Sequence, residues 1–85
     1  MSLSIKDLRA GDLLTMRMKR PWGHDITRQI LVLSKPGHFL VVEQYGDLTD
    51  IWSIQWSDTD LYNMLNEKSF SGIAEWSDIE VHRVS

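Results

Sequence analysis

Three turn signals, Pro21-Trp22-Gly23, Lys35-Pro36-Gly37 and Gly46-Asp47, cut residues 13–56 into short runs, none with the spacing of a long helix. Proline cannot donate to a ladder and glycine accepts the positive φ that tight turns need, so such punctuation favours short antiparallel strands joined by brief links. In the first run Leu14, Met16 and Met18 alternate with Thr15, Arg17 and Lys19, the pattern of a half-buried strand with a cationic outer face. The second strand, expected over residues 25–34, has apolar side chains on both faces from Ile30 to Leu33, as a central strand does. Lys35-Pro36-Gly37 then predicts a hairpin to a third strand, "HFLVVEQY". A fourth, "LTDIWSIQW", places Leu48, Trp52, Ile54 and Trp56 on one face, expected to be core, with Thr49, Ile51, Ser53 and Gln55 on the other.

The period changes at Ser57. Serine is a good N-cap, Asp58 and Asp60 sit where a helix dipole favours carboxylates, and Leu61, Met64 and Leu65 fall on one stripe. A helix of two to three turns follows, and then a last strand, expected over residues 79–84 and closing onto the first. Trp76 is expected beside a turn, packed on the helix. The order is β-β-β-β-α-β, a mostly β chain of about five antiparallel strands with one short helix before the last strand. Closure is the common protection for edges of short strands, so a small, strongly bent SH3-like barrel is the expected architecture. The alternative is an open sheet covered on one face by the helix. The stretch Leu8-x-x-Gly11-Asp12-Leu13-Leu14 resembles the opening of many such barrels over those seven residues.

Eighty-five residues with 42% apolar and 25% charged side chains fit one globular domain spanning 1–85. No apolar run approaches the ~20 residues of a membrane span, and Met1-Ser2-Leu3-Ser4 lacks the features of a signal peptide. The chain has no cysteine, which excludes disulfides, thiolate nucleophiles and cysteine-based zinc sites and fits a cytoplasmic location. Four tryptophans supply apolar area instead.

For enzymatic chemistry the pattern is poor. No serine lies in a nucleophile-elbow motif, no glycine loop is built to cradle phosphate, and the three histidines have no metal-ligand spacing. No cofactor and no metal are expected. "QWSDTDL" and "EWSDIEV" echo each other twenty residues apart. Ser-Asp starting a helix or turn accounts for that echo. A hard-cation site from Asp58, Asp60, Asp78 and Glu80 is the sharper alternative, without the glycine-punctuated loop of an EF-hand.

Charge is the remaining clue. Residues 1–36 carry seven basic side chains against three aspartates, whereas residues 37–85 carry two against nine carboxylates. The stretch "KRPWGHDITR" is the densest in cations and holds an indole. As a hairpin loop it would offer Arg17, Lys19, Arg20 and Arg28 as charges, Trp22 as a stacking or insertion surface, and His24 as a titratable imidazole. In SH3-like domains, which the opening resembles, the first long loop often borders the ligand groove. The expected function is therefore a non-enzymatic binding or adaptor module that recognises an acidic protein or peptide. A nucleic-acid-binding barrel, or an RNA-cleaving one with Arg28 or His24 opposite Asp25, is one alternative. A self-associating structural subunit is another. The same cations also suit the solvated face of an edge strand, with Trp22 folded over the barrel mouth.

Overall fold

The computed structural model describes residues 4–19, 23–66 and 76–83. A 3-10 turn over Ile5–Asp7 precedes strands β1 (Leu13–Met18), β2 (Ile26–Val32), β3 (His38–Tyr45) and β4 (Leu48–Gln55), then helix α1 (Asp58–Leu65) and strand β5 (Trp76–His82). The strands form one antiparallel sheet in the order β4-β3-β2-β1-β5. The expected element order is observed, and the last strand does pair with the first. Among the described residues no helix is long and apolar enough to cross a membrane.

Two turns set the register of the β2-β3-β4 meander. Gly46, at φ 59°, and Asp47 form the two-residue link of a hairpin flanked by Tyr45 and Leu48, and the pairing runs without interruption to His38 opposite Gln55. At the other end Gly37 takes φ 80°, and its carbonyl accepts from the Trp56 amide at 2.8 Å. A Cβ at Gly37 would lie 2.8 Å from the Trp56 carbonyl oxygen. Because that obstacle is backbone, Gly37→Ala is expected to cost about 1–2 kcal/mol. Urea unfolding followed by circular dichroism measures this as a lower midpoint with an unchanged slope.

Pairing also decides which side chains share a face. Leu14 lies opposite Ile30, Ile30 opposite Val41 and Val41 opposite Trp52, and Val32, Phe39 and Ile54 form the neighbouring row. This inner face holds the core: Leu14, Met16, Met18, Ile30, Val32, Phe39 and Val41 are buried with Leu61, Met64 and Leu65 of α1 and with Trp76. Each apolar side chain removed from water there contributes on the order of 1.5–3 kcal/mol. Helix α1 forms as its spacing predicts. Ser57 accepts from the Asp60 amide while Asp60 accepts from the Ser57 amide, a closed capping box.

Three expectations are revised. First, the sheet is not closed into a barrel: the ladder ends at β4 and β5, so the open sheet with its helix on one face is the arrangement observed. Second, β5 begins at Trp76 rather than residue 79, because the chain bulges opposite β1. Asp78 at φ 54° absorbs the extra residue, and pairing resumes with Ser77 opposite Arg17 and Trp76 opposite Met18. Trp76 is thus a buried strand residue instead of a turn residue. Third, only Ile54 and Trp56 of the expected fourth-strand stripe pack against the core. Leu48 is 68% exposed and Trp52 36%, since the inner-face cover fades toward β4.

Candidate binding surface

The hairpin of β1 and β2 does not gather the expected cations on one surface. Arg17 is exposed on the outer sheet face, where its carbonyl accepts from the Ser77 hydroxyl at 3.2 Å, and Lys19 is exposed just beyond β1. No ion pair engages either side chain among the described residues. His24 is exposed too. Its ring meets Tyr45 edge-on at 5.5 Å, and a Cβ at Gly46 would clash with the same ring, so His24 rests against the β3–β4 turn. Arg20 and Trp22 lie outside the described residues.

Arg28 goes elsewhere. It pairs with Met16, a core position, and therefore projects from the inner face, opposite to Arg17. Its Nε donates to Glu43 Oε2 at 2.8 Å, its Nη2 lies 2.6 Å from the same oxygen, and its guanidinium sits 4.5 Å over the Trp76 ring. With 12% of its side chain exposed, Arg28 is an internal strut, and the sheet separates it from Arg17, with which the sequence grouped it. Its carboxylate partner is Glu43, not Asp25.

Around Arg28 the register builds a row that local spacing does not suggest. Met16, Arg28, Glu43 and Asp50 lie side by side across four strands. Glu43 and Asp50 directly oppose each other, an unfavourable like-charge pair with Arg28 on one flank. Ile26, Glu43, Tyr45, Leu48 and Asp50 line an open cleft of about 320 Å³ there. The two acids stand equally far from the Gly46-Asp47 turn, so assuming a two-residue hairpin in the sequence would have found the pair.

A second group of acids is used internally. Asp58 accepts from the Ile5 amide at 2.7 Å and Asp60 closes the helix cap. Asp12 is fully buried, and its Oδ2 accepts from the Arg9 amide at 2.9 Å and from Arg83 Nη1 at 3.0 Å. Among the described residues no group of three or more histidines and acids is placed to hold a metal ion. A groove of about 650 Å³ between the N-terminal segment and the β2–β3 turn is largely apolar, with Ile5, Leu8, Val32 and Phe39 in its walls.

Among the described residues no helix lies on the outer sheet face. Leu13, Leu31 and Leu40 pair across β1, β2 and β3, and Val42 lies beside Ile51, all only partly buried or exposed. One end of this apolar band meets the row Arg17, Thr27, Gln44 and Thr49. The chain matches no protein-family model, no curated protein and no solved structure.

Proposed function

We propose that this protein is a non-enzymatic binding module that recognises an acidic protein or peptide segment at the cationic end of its outer sheet face. One observation carries this reading: Arg17 and Lys19 are exposed with no ion pair among the described residues, next to a partly exposed apolar band. A segment with carboxylates beside apolar side chains matches that juxtaposition, and guanidinium suits carboxylate geometry. His24 borders the same hairpin, and Arg20 and Trp22 belong to it in sequence. Arg28 acts indirectly, by holding β2 to β3.

The test is fluorescence anisotropy with a labelled Glu/Leu peptide and a labelled mixed-sequence RNA of equal charge. Binding to the peptide that weakens about tenfold in the Arg17→Ala/Lys19→Ala double variant, and weakens again at high salt, supports the proposal. Equal binding by the double variant overturns it. Tight RNA binding with none to the peptide favours a nucleic-acid partner instead. RNA cleavage lost in Arg28→Ala and His24→Ala would establish an enzyme.

A further inference from the structure

We infer that the edge of β4, which pairs only with β3 among the described residues, is a strand-addition site for an extended peptide that places a lysine or arginine opposite Asp50. This surface is separate from the hairpin surface and prefers the opposite charge.

The first ground is backbone chemistry. In a two-residue hairpin the residues flanking the turn form a hydrogen-bonded pair, and such pairs alternate along an antiparallel ladder. Tyr45 and Leu48 are that pair here, so Leu48, Asp50, Trp52 and Ile54 bond toward β3. The bond from the Trp56 amide to Gly37 continues the same alternation. The amides and carbonyls of Thr49, Ile51, Ser53 and Gln55 consequently point away from β3, along the end of the sheet. They form a ready template for another strand.

The second ground is thin protection: among the described residues the β4 edge is guarded only by the charge of Asp50 on its inner face, which a basic partner residue would neutralise. Edges are commonly blunted by bulges, prolines or lysines. The β5 edge has such a bulge at Asp78, whereas the β3–β4 pairing is regular throughout, and β4 contains neither proline nor lysine. It also displays apolar side chains on both faces, Leu48 and Trp52 on the inner and Ile51, 64% exposed, on the outer.

The third ground is charge and selects the occupant. Across the inner face the row reads Arg28, Glu43, Asp50, one positive charge followed by two negative ones. Arg28 directs both its Nε and its Nη2 to Glu43. The next position in that row, beyond Asp50, belongs to a strand added at the edge about 4.8 Å away. A cation there relieves the opposition of Glu43 and Asp50, and a carboxylate there aggravates it. In antiparallel addition the residue opposite Asp50 is basic. The residues two positions to either side of it are apolar, against Trp52 and Leu48, and the one facing Ile51 is apolar as well. The occupant is thus a short extended segment of apolar–apolar–basic–x–apolar character.

The test uses the full chain and two labelled eight-residue Val/Thr peptides that differ only in a central Arg or Glu, read by anisotropy. The Arg peptide is expected to bind about tenfold tighter than the Glu peptide. Asp50→Lys should reverse that preference. Ile51→Pro should abolish binding of both, because the amide it removes points outward and the β3 ladder is spared. If Ile51→Pro fails to fold, the reversal by Asp50→Lys decides alone. The Arg17→Ala/Lys19→Ala double variant should bind the Arg peptide normally, which separates this site from the hairpin surface. Equal binding of the two peptides, binding of neither, or binding that survives Ile51→Pro in a folded protein overturns the inference. A dimer in sedimentation velocity that Ile51→Pro dissociates would instead identify a second copy of the chain as the occupant.

Discussion

Phe39→Ala is expected to remove about 3–4 kcal/mol of folding free energy, the largest loss from any single core truncation. Phe39 is fully buried and is the largest side chain so enclosed among the described residues. It stands between Val32 and Ile54 on the inner face, with its ring tilted 40° to Trp56 at 5.2 Å. Truncation forfeits the transfer free energy of the ring and leaves a cavity that two neighbouring strands and the Trp56 ring cannot fill without disturbing the ladder. A domain of this size has about 5–10 kcal/mol in hand, so the midpoint of thermal unfolding should fall by about 15–25 °C. The informative comparison is Trp52→Ala, which removes a bigger side chain from the same sheet face. Because Trp52 retains about a third of its exposure and leaves no enclosed cavity, its loss should cost about 1–2 kcal/mol. Equal losses for the two variants in urea titrations would contradict the fading of the inner-face cover toward β4.

The second large effect is expected at Asp12. Its carboxylate is fully buried and receives the Arg9 amide and Arg83 Nη1, while its own backbone donates to the Arg9 carbonyl and accepts from the Val32 amide. Arg83 also donates to the Asp7 carbonyl. One side chain therefore joins the N-terminal turn, the start of β1 and the residue after β5. Asp12→Ala leaves the Arg9 amide without its acceptor and leaves Arg83 held, among the described residues, by the Asp7 carbonyl alone. The Arg83 side chain is 51% exposed and rehydrates readily, so the cost falls below that of breaking a fully buried pair, at about 2–3 kcal/mol. Arg83→Ala should cost less, about 1–2 kcal/mol, because the amide of Arg9 still serves the carboxylate. The double variant should be hardly worse than Asp12→Ala alone, a coupling that equilibrium denaturation of all four proteins measures directly. Additive losses would show that the two side chains act independently.

Much of this architecture was readable in the chain. Gly46-Asp47 and Lys35-Pro36-Gly37 announce two hairpins, Ser57 with Asp60 announces a capped helix, and Leu14, Met16 and Met18 announce a core face. Each signal acts within a few residues, where backbone geometry and period suffice. Arg28 shows where that reach ends. Residues 30–33 are apolar on both faces, and the sequence separation between the first two strands is too long to impose a register, so nothing local states which way Arg28 points. Only its pairing with Met16 turns it inward to Glu43 and Trp76 and away from Arg17. The bulge at Asp78 similarly concealed the start of β5, since it breaks the alternation by which a strand is recognised.

By itself, then, the order of residues determined the strands, the tight turns, the capped helix and the uneven distribution of charge, because those depend on neighbours along the chain. The tertiary structure alone decided which face the helix covers, that Asp12 is internal, that Arg28 is neutralised by Glu43, and that β4 lies at the end of the sheet with Leu48, Ile51 and Trp52 exposed. These outcomes depend on side chains far apart in the chain competing for one covered face, and the free energy of that competition leaves no mark on the spacing of residues.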